Sequence, residues 1–302
     1  MSSILSVGQL IDRSWEHTRN HLRDLLKVSA WFLVPTALAV VSALLYPSAS
    51  TLASGKDLTP FESLAVFLWL ANAAIVIPAV VLGIFIDLMK LIQAQERGTP
   101  IRMPALLQDV RRLFWPALLV NILVLGLLVA SWLLTLPGAG LAGLGSLWNN
   151  EALAAMGGLL LMAGMVTGIV LGIWWLIVYG YAPLALVLEN QRGRGALRRS
   201  RELIAGRFWA VVARMAIPKI IYLLIGIVAE VFVNQLGEIA IESIGGVHPD
   251  VQVRLTMIFT TLVVVVGAAI LNPLMLTSDY LLYQSLKDSR AEESGKSKKT
   301  LV

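Results

Sequence analysis

The most unusual polar pattern of the chain lies inside an apolar stretch, residues 208–234. Lys219, Tyr222, Glu230 and Asn234 recur there at helical spacing, with Gly226 between them, so they share one face of a helix. We call the four polar residues the polar stripe. An ionisable side chain inside a bilayer is costly, which makes the stripe a functional hypothesis by default.

Two interpretations of the polar stripe stay open. Lys219 and Glu230 lie about 16 Å apart along a helix, so we expect their partners on other helices. The first interpretation is polar contact between helices, with Lys219 reaching the inner surface and Glu230 near the outer one. The second is the lining of a polar cavity. The asparagines at 72, 121 and 272 are candidate partners.

Acidic residues lie at or near the ends of three of the six long apolar stretches of the chain, those at 62–90, 153–188 and 253–286. Asp87, Glu189 and Asp279 follow a proline in each case, and we call them the acid ring. We expect them just inside the cytoplasmic surface, where nearby arginines are natural partners. Salt bridges are the first interpretation of the ring, and a proton or cation site is the second.

Arginines are concentrated in residues 193–209, which read GRGALRRSRELIAGRFW. Guanidinium groups at a membrane surface attract anionic lipid headgroups. We therefore predict headgroup contacts at a set that we call the basic collar: Arg13, Arg112, Arg198, Arg199 and Arg201.

Motifs for catalysis, nucleotide binding or metal binding find little support in the sequence. The chain has no cysteine, and it has no Gly-x-Ser-x-Gly, phosphate-loop or dinucleotide motif. His17 and His21 are four residues apart, a spacing that binds metals, but a solvated polar face is the stronger interpretation. We predict no cofactor, no metal and no catalytic residues.

Composition and apolar runs define the class of protein. Hydrophobic residues make up 57% of the chain and charged residues 14%, against about 25% charged in soluble domains. A membrane-spanning helix needs roughly 20 apolar residues. We predict an all-α polytopic fold with six such spans and no cleavable signal peptide; the spans are 25–46, 62–90, 113–136, 153–188, 208–234 and 253–286.

Lysine and arginine lie mostly on one side of these spans. They fill the N-terminus, the second and fourth connections and the C-terminal tail, whereas the opposite side holds Lys56 and Arg254. This asymmetry predicts a multi-pass protein of the inner (plasma) membrane with both termini cytoplasmic. Nucleic-acid binding is not expected, because membrane topology already explains the basic excess.

Internal similarity predicts three repeats within a single domain, 1–288. Residues 8–26 contain a segment that aligns with 195–212 without gaps, and 104–119 has a shorter version of the same pattern. Each copy predicts an amphipathic interfacial helix before a span, and Ser6 and Gln9 predict a capping box for the first. The repeats cover about 6–95, 99–190 and 193–288, and residues 289–302 are predicted to be a disordered polar tail.

Glycine recurs in two further patterns. Gly164, Gly168 and Gly172 are four residues apart, which predicts close helix packing, with a partner in the same chain favoured. The run GAGLAGLG, residues 138–145, predicts an outer loop.

The stretch ALRRSRELIAGRFW, residues 196–209, resembles a repeated signature of bacterial six-helix membrane proteins. These are similar to the membrane domain attached to some glycerophosphodiester phosphodiesterases, and many have no known function. The resemblance implies the six-helix fold over nearly the whole chain. We expect no phosphodiesterase activity, because no such domain follows Asp288.

Taken together, the residues favour a non-enzymatic membrane protein that interacts with lipids, anionic ones above all, or acts as a scaffold. The alternative is a small-solute or ion-coupled transporter that uses the polar stripe. An intramembrane enzyme comes third, because no nucleophile and base converge in the sequence.

Overall fold

A computed structural model describes residues 4–48, 51, 55, 57–100, 103–244, 246 and 248–299, with side chains as far as Glu292. This part of the chain contains helices and no strand. Six helical segments are long and apolar enough to cross a membrane, which confirms the all-α polytopic fold. They are Leu22–Leu45, Pro60–Glu96, Met103–Leu147, Glu151–Glu189, Phe208–Glu242 and Pro249–Glu292, the first to sixth spans.

Twelve α-helices in the described residues build these spans and their connections. The first six are α1 (Val7–Asn20), α2 (Leu22–Ser29), α3 (Leu33–Leu45), α4 (Pro60–Ala71), α5 (Ile77–Glu96) and α6 (Met103–Trp132). The others are α7 (Leu136–Leu147), α8 (Glu151–Tyr179), α9 (Ala182–Glu189), α10 (Arg194–Ile204), α11 (Phe208–Glu242) and α12 (Pro249–Lys299).

Contacts divide the described residues into two compact units, where the sequence predicts one domain. Unit A comprises the described part of Ser3–Val110 and Ala213–Ser285, and unit B that of Arg111–Val212 and Leu286–Val302. Much of the apolar surface of the spans is exposed rather than packed on a neighbour. In the sixth span, no residue of the most apolar 18-residue window is buried. Such surface is suited to contact with lipid tails.

In unit A, polar contacts tie the first span to its neighbours. Ser42 donates to the carbonyl of Ala65 at 2.8 Å, and Asn72 donates to the carbonyl of Pro35 at 2.9 Å. Arg254 donates to the carbonyls of Leu44 and Tyr46 at the end of α3. A cation on these unpaired carbonyls stabilises a helix C-terminus, which gives Arg254 a structural role.

Helix α1, for which we predict an interfacial position, begins as its sequence predicts. The Gln9 backbone amide donates to Ser6 Oγ at 3.3 Å, and the Ser6 amide donates to Gln9 Oε1 at 3.0 Å. This pair is a capping box, so two amides at the helix start are satisfied.

The amphipathic segment 104–119 differs from its prediction. It forms no separate helix but is the first part of α6, which passes through Pro116.

In unit B, glycines bring α8 against the end of α6 and the residues that follow it. A Cβ at Gly164 would lie 2.5 Å from the carbonyl oxygen of Leu134, and one at Gly168 would lie 2.9 Å from that of Ser131. These contacts confirm the close packing that the glycine spacing predicts, with the partner in the same chain.

The expectation of an outer loop at residues 138–145 was wrong. These residues lie in α7, which packs along α8. A Cβ at Gly138 would lie 2.2 Å from the amide of Leu161, and a Cβ at Gly157 would lie 2.1 Å from that of Ala142. The glycines that suggest a loop are what allow two helix backbones to touch, and this contact outweighs their low helix propensity.

The C-terminal end also differs from its prediction. Helix α12 continues to Lys299, through most of the segment for which we predict disorder. Residues 300–302 and the side chains of Lys296, Lys298 and Lys299 lie outside the described part, as do Lys56 and Arg102.

Replacing Gly164 by valine tests the glycine contact. We expect the variant to lose about 1–3 kcal/mol of stability, because the side chain meets backbone that cannot move aside. The matched control is Gly158→Val in the same helix, where a Cβ meets nothing within 4 Å. Thermal unfolding in detergent measures both. Equal midpoints for the two variants would contradict the contact.

Candidate functional site

A long groove runs between α11 and α12 in unit A. Its volume is about 760 Å³, and its walls are apolar apart from the side chains of Tyr222 and Glu230. Ile11 and Trp15 of α1 contribute to the same groove. Most of the wall comes from the fifth and sixth spans: Ile221, Ile225, Gly226, Ala229 and Val233, and Phe259, Leu262, Val263, Val266, Gly267, Ile270, Leu271 and Leu274.

Large side chains set opposite glycines hold the two helices apart. A Cβ at Gly226 would lie 2.3 Å from Leu271 Cδ1, and a Cβ at Gly237 would lie 2.0 Å from Phe259 Cε1. These two contacts define an antiparallel register, and on it Gly267 falls opposite Glu230. A Cβ at Gly267 would meet nothing within 4 Å, so the wall of the groove is open at this level.

The length of the groove matches one leaflet of a bilayer. On α11 it extends from Ile221 to Val233, which is about 18 Å at 1.5 Å per residue. The hydrocarbon core of a bilayer is about 30 Å thick, so one leaflet is about 15 Å. The groove therefore has the length and the apolar character to hold a lipid tail.

The structure separates the members of the polar stripe. Lys219 Nζ lies 2.8 Å from Asp279 Oδ2, and the Tyr222 hydroxyl lies 2.6 Å from Ser14 Oγ. Glu230 is half-buried and faces the groove. Asn234 is half-buried too, and its Oδ1 has no hydrogen-bond partner among the described residues. Lys219 and Tyr222 thus make contacts between helices, whereas the structure shows no such contact for Glu230 or for Asn234 Oδ1 among the described residues.

The acid ring divides between the two units. In unit B, Glu189 accepts two hydrogen bonds from Arg199, at 2.8 and 3.3 Å, and Lys287 Nζ lies 3.3 Å from its Oε1. In unit A, Asp279 pairs with Lys219, and Asp87 is buried. The contacts of Glu189 and Asp279 support the salt-bridge interpretation for those two acids, and the ring as a whole stays a prediction.

Most of the basic collar is exposed. Arg198 makes an exposed ion pair with Glu202 at 2.8 Å, whereas Arg199 is half-buried against Glu189. Exposure leaves a guanidinium group free to approach a headgroup, while Arg199 already has carboxylate partners. The exposed members are Arg13, Arg112, Arg198 and Arg201.

His17 lies in a polar cluster at the end of the second span. Its Nδ1 is 2.9 Å from Glu96 Oε1, and its Nε2 is 3.0 Å from Gln95 Oε1. Burial lowers the pKa of the His17 imidazole below its ordinary value, although the Glu96 carboxylate opposes this shift. The described residues contain no group of three side chains suited to hold a metal ion, and His17 is 8% exposed rather than on a solvated face.

Two of the similar segments bury the same positions. Leu10 and Ser14 on α1 are fully buried, and so are Ala196 and Ser200 at the aligned positions on α10. Each serine anchors its helix, Ser14 to Tyr222 and Ser200 to the carbonyl of Val178 at 2.7 Å.

No family model, curated protein or solved structure matches the chain. The resemblance to the membrane domain of glycerophosphodiester phosphodiesterases therefore stays a prediction. The function has to be inferred from the geometry of the molecule itself.

Sequence reasoning found Glu230 but missed the groove beside it. The groove depends on a glycine of the sixth span, within the run VVVVGAAI at residues 263–270. Small residues in an apolar run are a weak signal, because they equally suggest close packing of helices.

The Lys219–Asp279 ion pair can be tested by substitution. Lys219→Met should cost about 3 kcal/mol of stability, because it leaves the Asp279 carboxylate, 13% exposed, without its cation. Lys219→Met combined with Asp279→Leu should recover most of this loss. The control is Lys27→Met, which breaks an exposed pair with Asp24 and should cost less than about 1 kcal/mol.

Unfolding of the three variants in detergent provides the measurement. If Lys219→Met were as stable as the parent, or if the double variant were no more stable than Lys219→Met, the ion pair would not contribute to stability.

Proposed function

We propose that this multi-pass membrane protein binds a membrane lipid, with one acyl chain in the groove between α11 and α12. The groove itself is the observation that carries this proposal, because it is apolar, about 760 Å³ in volume and as long as one leaflet. Such a volume lies in the range of about 300–1,000 Å³ that is typical of small-molecule sites.

The chemistry of the groove favours a lipid over a transported solute. An ion or a polar solute needs several polar groups along its path. The groove presents Tyr222 and Glu230, and the Tyr222 hydroxyl already contacts Ser14. Lys219, which a transport site would need, is paired with Asp279. The transporter interpretation therefore loses two of its four polar-stripe residues, Lys219 and Tyr222, to contacts within the protein.

The headgroup of the bound lipid lies at the cytoplasmic end of the groove. Ile11 and Trp15 of helix α1 line the groove, and the exposed Arg13 lies at the same level on the opposite face of that helix. An arginine at this level attracts an anionic headgroup, and each such cation contributes about 1 kcal/mol. The other exposed arginines of the basic collar act on lipids in the same way.

The orientation follows from charge. Lysine and arginine concentrate on one side of the six spans, so both termini are cytoplasmic and the protein belongs in the inner membrane of a bacterium. The threefold repeat is part of the proposal, and the equal burial of aligned positions on α1 and α10 supports it.

Filling the groove is the direct test. Gly267→Leu places a side chain beside Glu230, where a Cβ meets open space, so the fold should tolerate it. Native mass spectrometry of gently purified protein should then show one tightly held lipid fewer, its affinity lowered by at least about tenfold, or 1.4 kcal/mol. Retention equal to that of the parent would refute the groove as a lipid site.

The matched control is Gly126→Leu on the third span. A Cβ there also meets nothing within 4 Å, and the position is exposed outside the groove. This variant should retain lipid as the parent does, which separates filling of the groove from a general effect of added bulk.

The basic collar is tested by Arg198→Ala combined with Arg201→Ala. Loss of two cations at about 1 kcal/mol each should lower the affinity for phosphatidylglycerol by at least about tenfold and leave that for phosphatidylcholine unchanged. Both lipids are supplied in equal amounts, and the retained lipid is identified by mass. The control changes both arginines to lysine, which keeps the charge. Unchanged preference in the alanine variant would reduce these arginines to topology signals.

A further inference from the structure

A second, smaller cleft lies in unit A, away from the residues of the groove. Its volume is about 160 Å³, and it is lined by Trp31, Val80, Gly83, Ile84, Asp87, Leu107 and Val110. The volume that a water molecule occupies in the liquid is about 30 Å³, so the cleft holds a group the size of about five waters. A small headgroup fits this space, whereas a whole lipid or a drug-sized ligand does not.

Asp87 is the charged side chain of this cleft, and it is 4% exposed. Its Oδ1 is buried without a hydrogen-bond partner in the part of the chain that the structure describes. The second carboxylate, Asp109, is near enough to act on Asp87 electrostatically. A buried carboxylate oxygen with no donor is costly, and a further negative charge nearby makes a cation the natural partner.

The walls of the cleft select the kind of cation. Calcium and magnesium take about six or more oxygen ligands, and the cleft offers the carboxylate of one residue. Trp31 also lines the cleft. An indole face attracts an organic ammonium group more strongly than the other aromatic rings do, so the lining favours an organic cation over a metal ion. Val80, Ile84, Leu107 and Val110 give the cleft apolar walls, and their methyl groups suit the carbons next to the nitrogen.

The sequence positions of nearby charged residues indicate that the cleft lies close to the depth of lipid headgroups. Trp31 is one helical turn beyond Lys27, the last charged residue of the first span, and Asp87 is about one turn before Lys90. Leu107 and Val110 belong to the amphipathic start of α6. A group that enters here from the bilayer surface meets Asp87 without crossing the hydrocarbon core.

We propose that the Asp87 cleft binds a small organic ammonium group, with the carboxylate of Asp87 as counter-ion and Trp31 as cation–π partner. The ammonium group belongs either to a lipid headgroup such as ethanolamine or to a free amine. This site goes beyond the lipid groove of the proposed function, because the two share no residue.

The test uses the full chain in dodecyl maltoside micelles that contain equal amounts of phosphatidylethanolamine and phosphatidylglycerol with the same tails. Because both lipids carry a phosphate, a preference for the first reports the ammonium group. Native mass spectrometry should show this preference in the parent. Asp87→Asn, which keeps size and removes charge, should lower it by at least about tenfold, as loss of a buried counter-ion does.

A second variant guards against an effect on folding. Gly83→Val keeps the carboxylate but fills the cleft, since a Cβ there lies 3.8 Å from Val110 Cγ1, an ordinary contact. It should abolish the preference as well. The matched control is Asp12→Asn, the same substitution at an exposed position of α1, and it should bind as the parent does.

Free ethanolamine distinguishes the two sources of the ammonium group. If it raises the thermal midpoint of the lipid-free parent but not that of Asp87→Asn, the site accepts a free amine. If the preference among lipids depends on Asp87 while free ethanolamine has no effect, the site is specific for a headgroup.

The proposal is overturned if Asp87→Asn or Gly83→Val retains phosphatidylethanolamine as the parent does, or if the parent shows no preference and no response to ethanolamine. Gly267→Leu reports on the groove separately. It should lose one bound lipid and keep the preference, so failure of one site is distinguishable from failure of the other.

Discussion

Lipid tails solvate an apolar side chain as well as a neighbouring helix does, so apolar surface alone does not hold membrane helices together. Contact between helices then depends on how closely two backbones can approach. Glycines on α7 and α8 allow that approach in unit B. In unit A, Leu271 and Phe259 lie opposite Gly226 and Gly237 and keep α11 and α12 apart. The same residue type thus closes one helix pair and leaves a groove in another.

Charged residues follow the same constraint, because a bilayer offers them no solvent. Lys219 and Asp279 neutralise each other, and Arg199 neutralises Glu189. Asp87 and Glu230 are the acids of the described spans that face a cleft or a groove instead of a cation. The proposed ammonium group lies beside a carboxylate that no cation of the described residues neutralises. The proposed lipid lies in an apolar groove that no described side chain fills.

The sequence was sufficient to predict six helical spans, because apolar length and the clustering of charge are properties of single segments. Polar stripe residues were also recognisable, since Lys219 and Glu230 stand out in an apolar run. Their partners were not, because pairing Lys219 with Asp279 requires two helices 60 positions apart in the chain to be placed side by side. The glycines of residues 138–145 suggest a loop although they lie in a helix, because close packing and loop formation leave the same signature in the sequence. The cleft of Asp87 and Trp31 combines residues from three segments, and no local pattern links them.

A lipid that binds in the groove between α11 and α12, as proposed, would come from the bilayer and not from water. A ligand that arrives from within the bilayer is present at a mole fraction set by membrane composition, not at an aqueous concentration. In the proposed role of the groove, bulk lipid therefore competes with the bound lipid for the same space. Occupancy by a particular lipid reports how much better that lipid fits than its neighbours do. The protein would respond to changes in the make-up of its membrane rather than to the amount of a soluble signal.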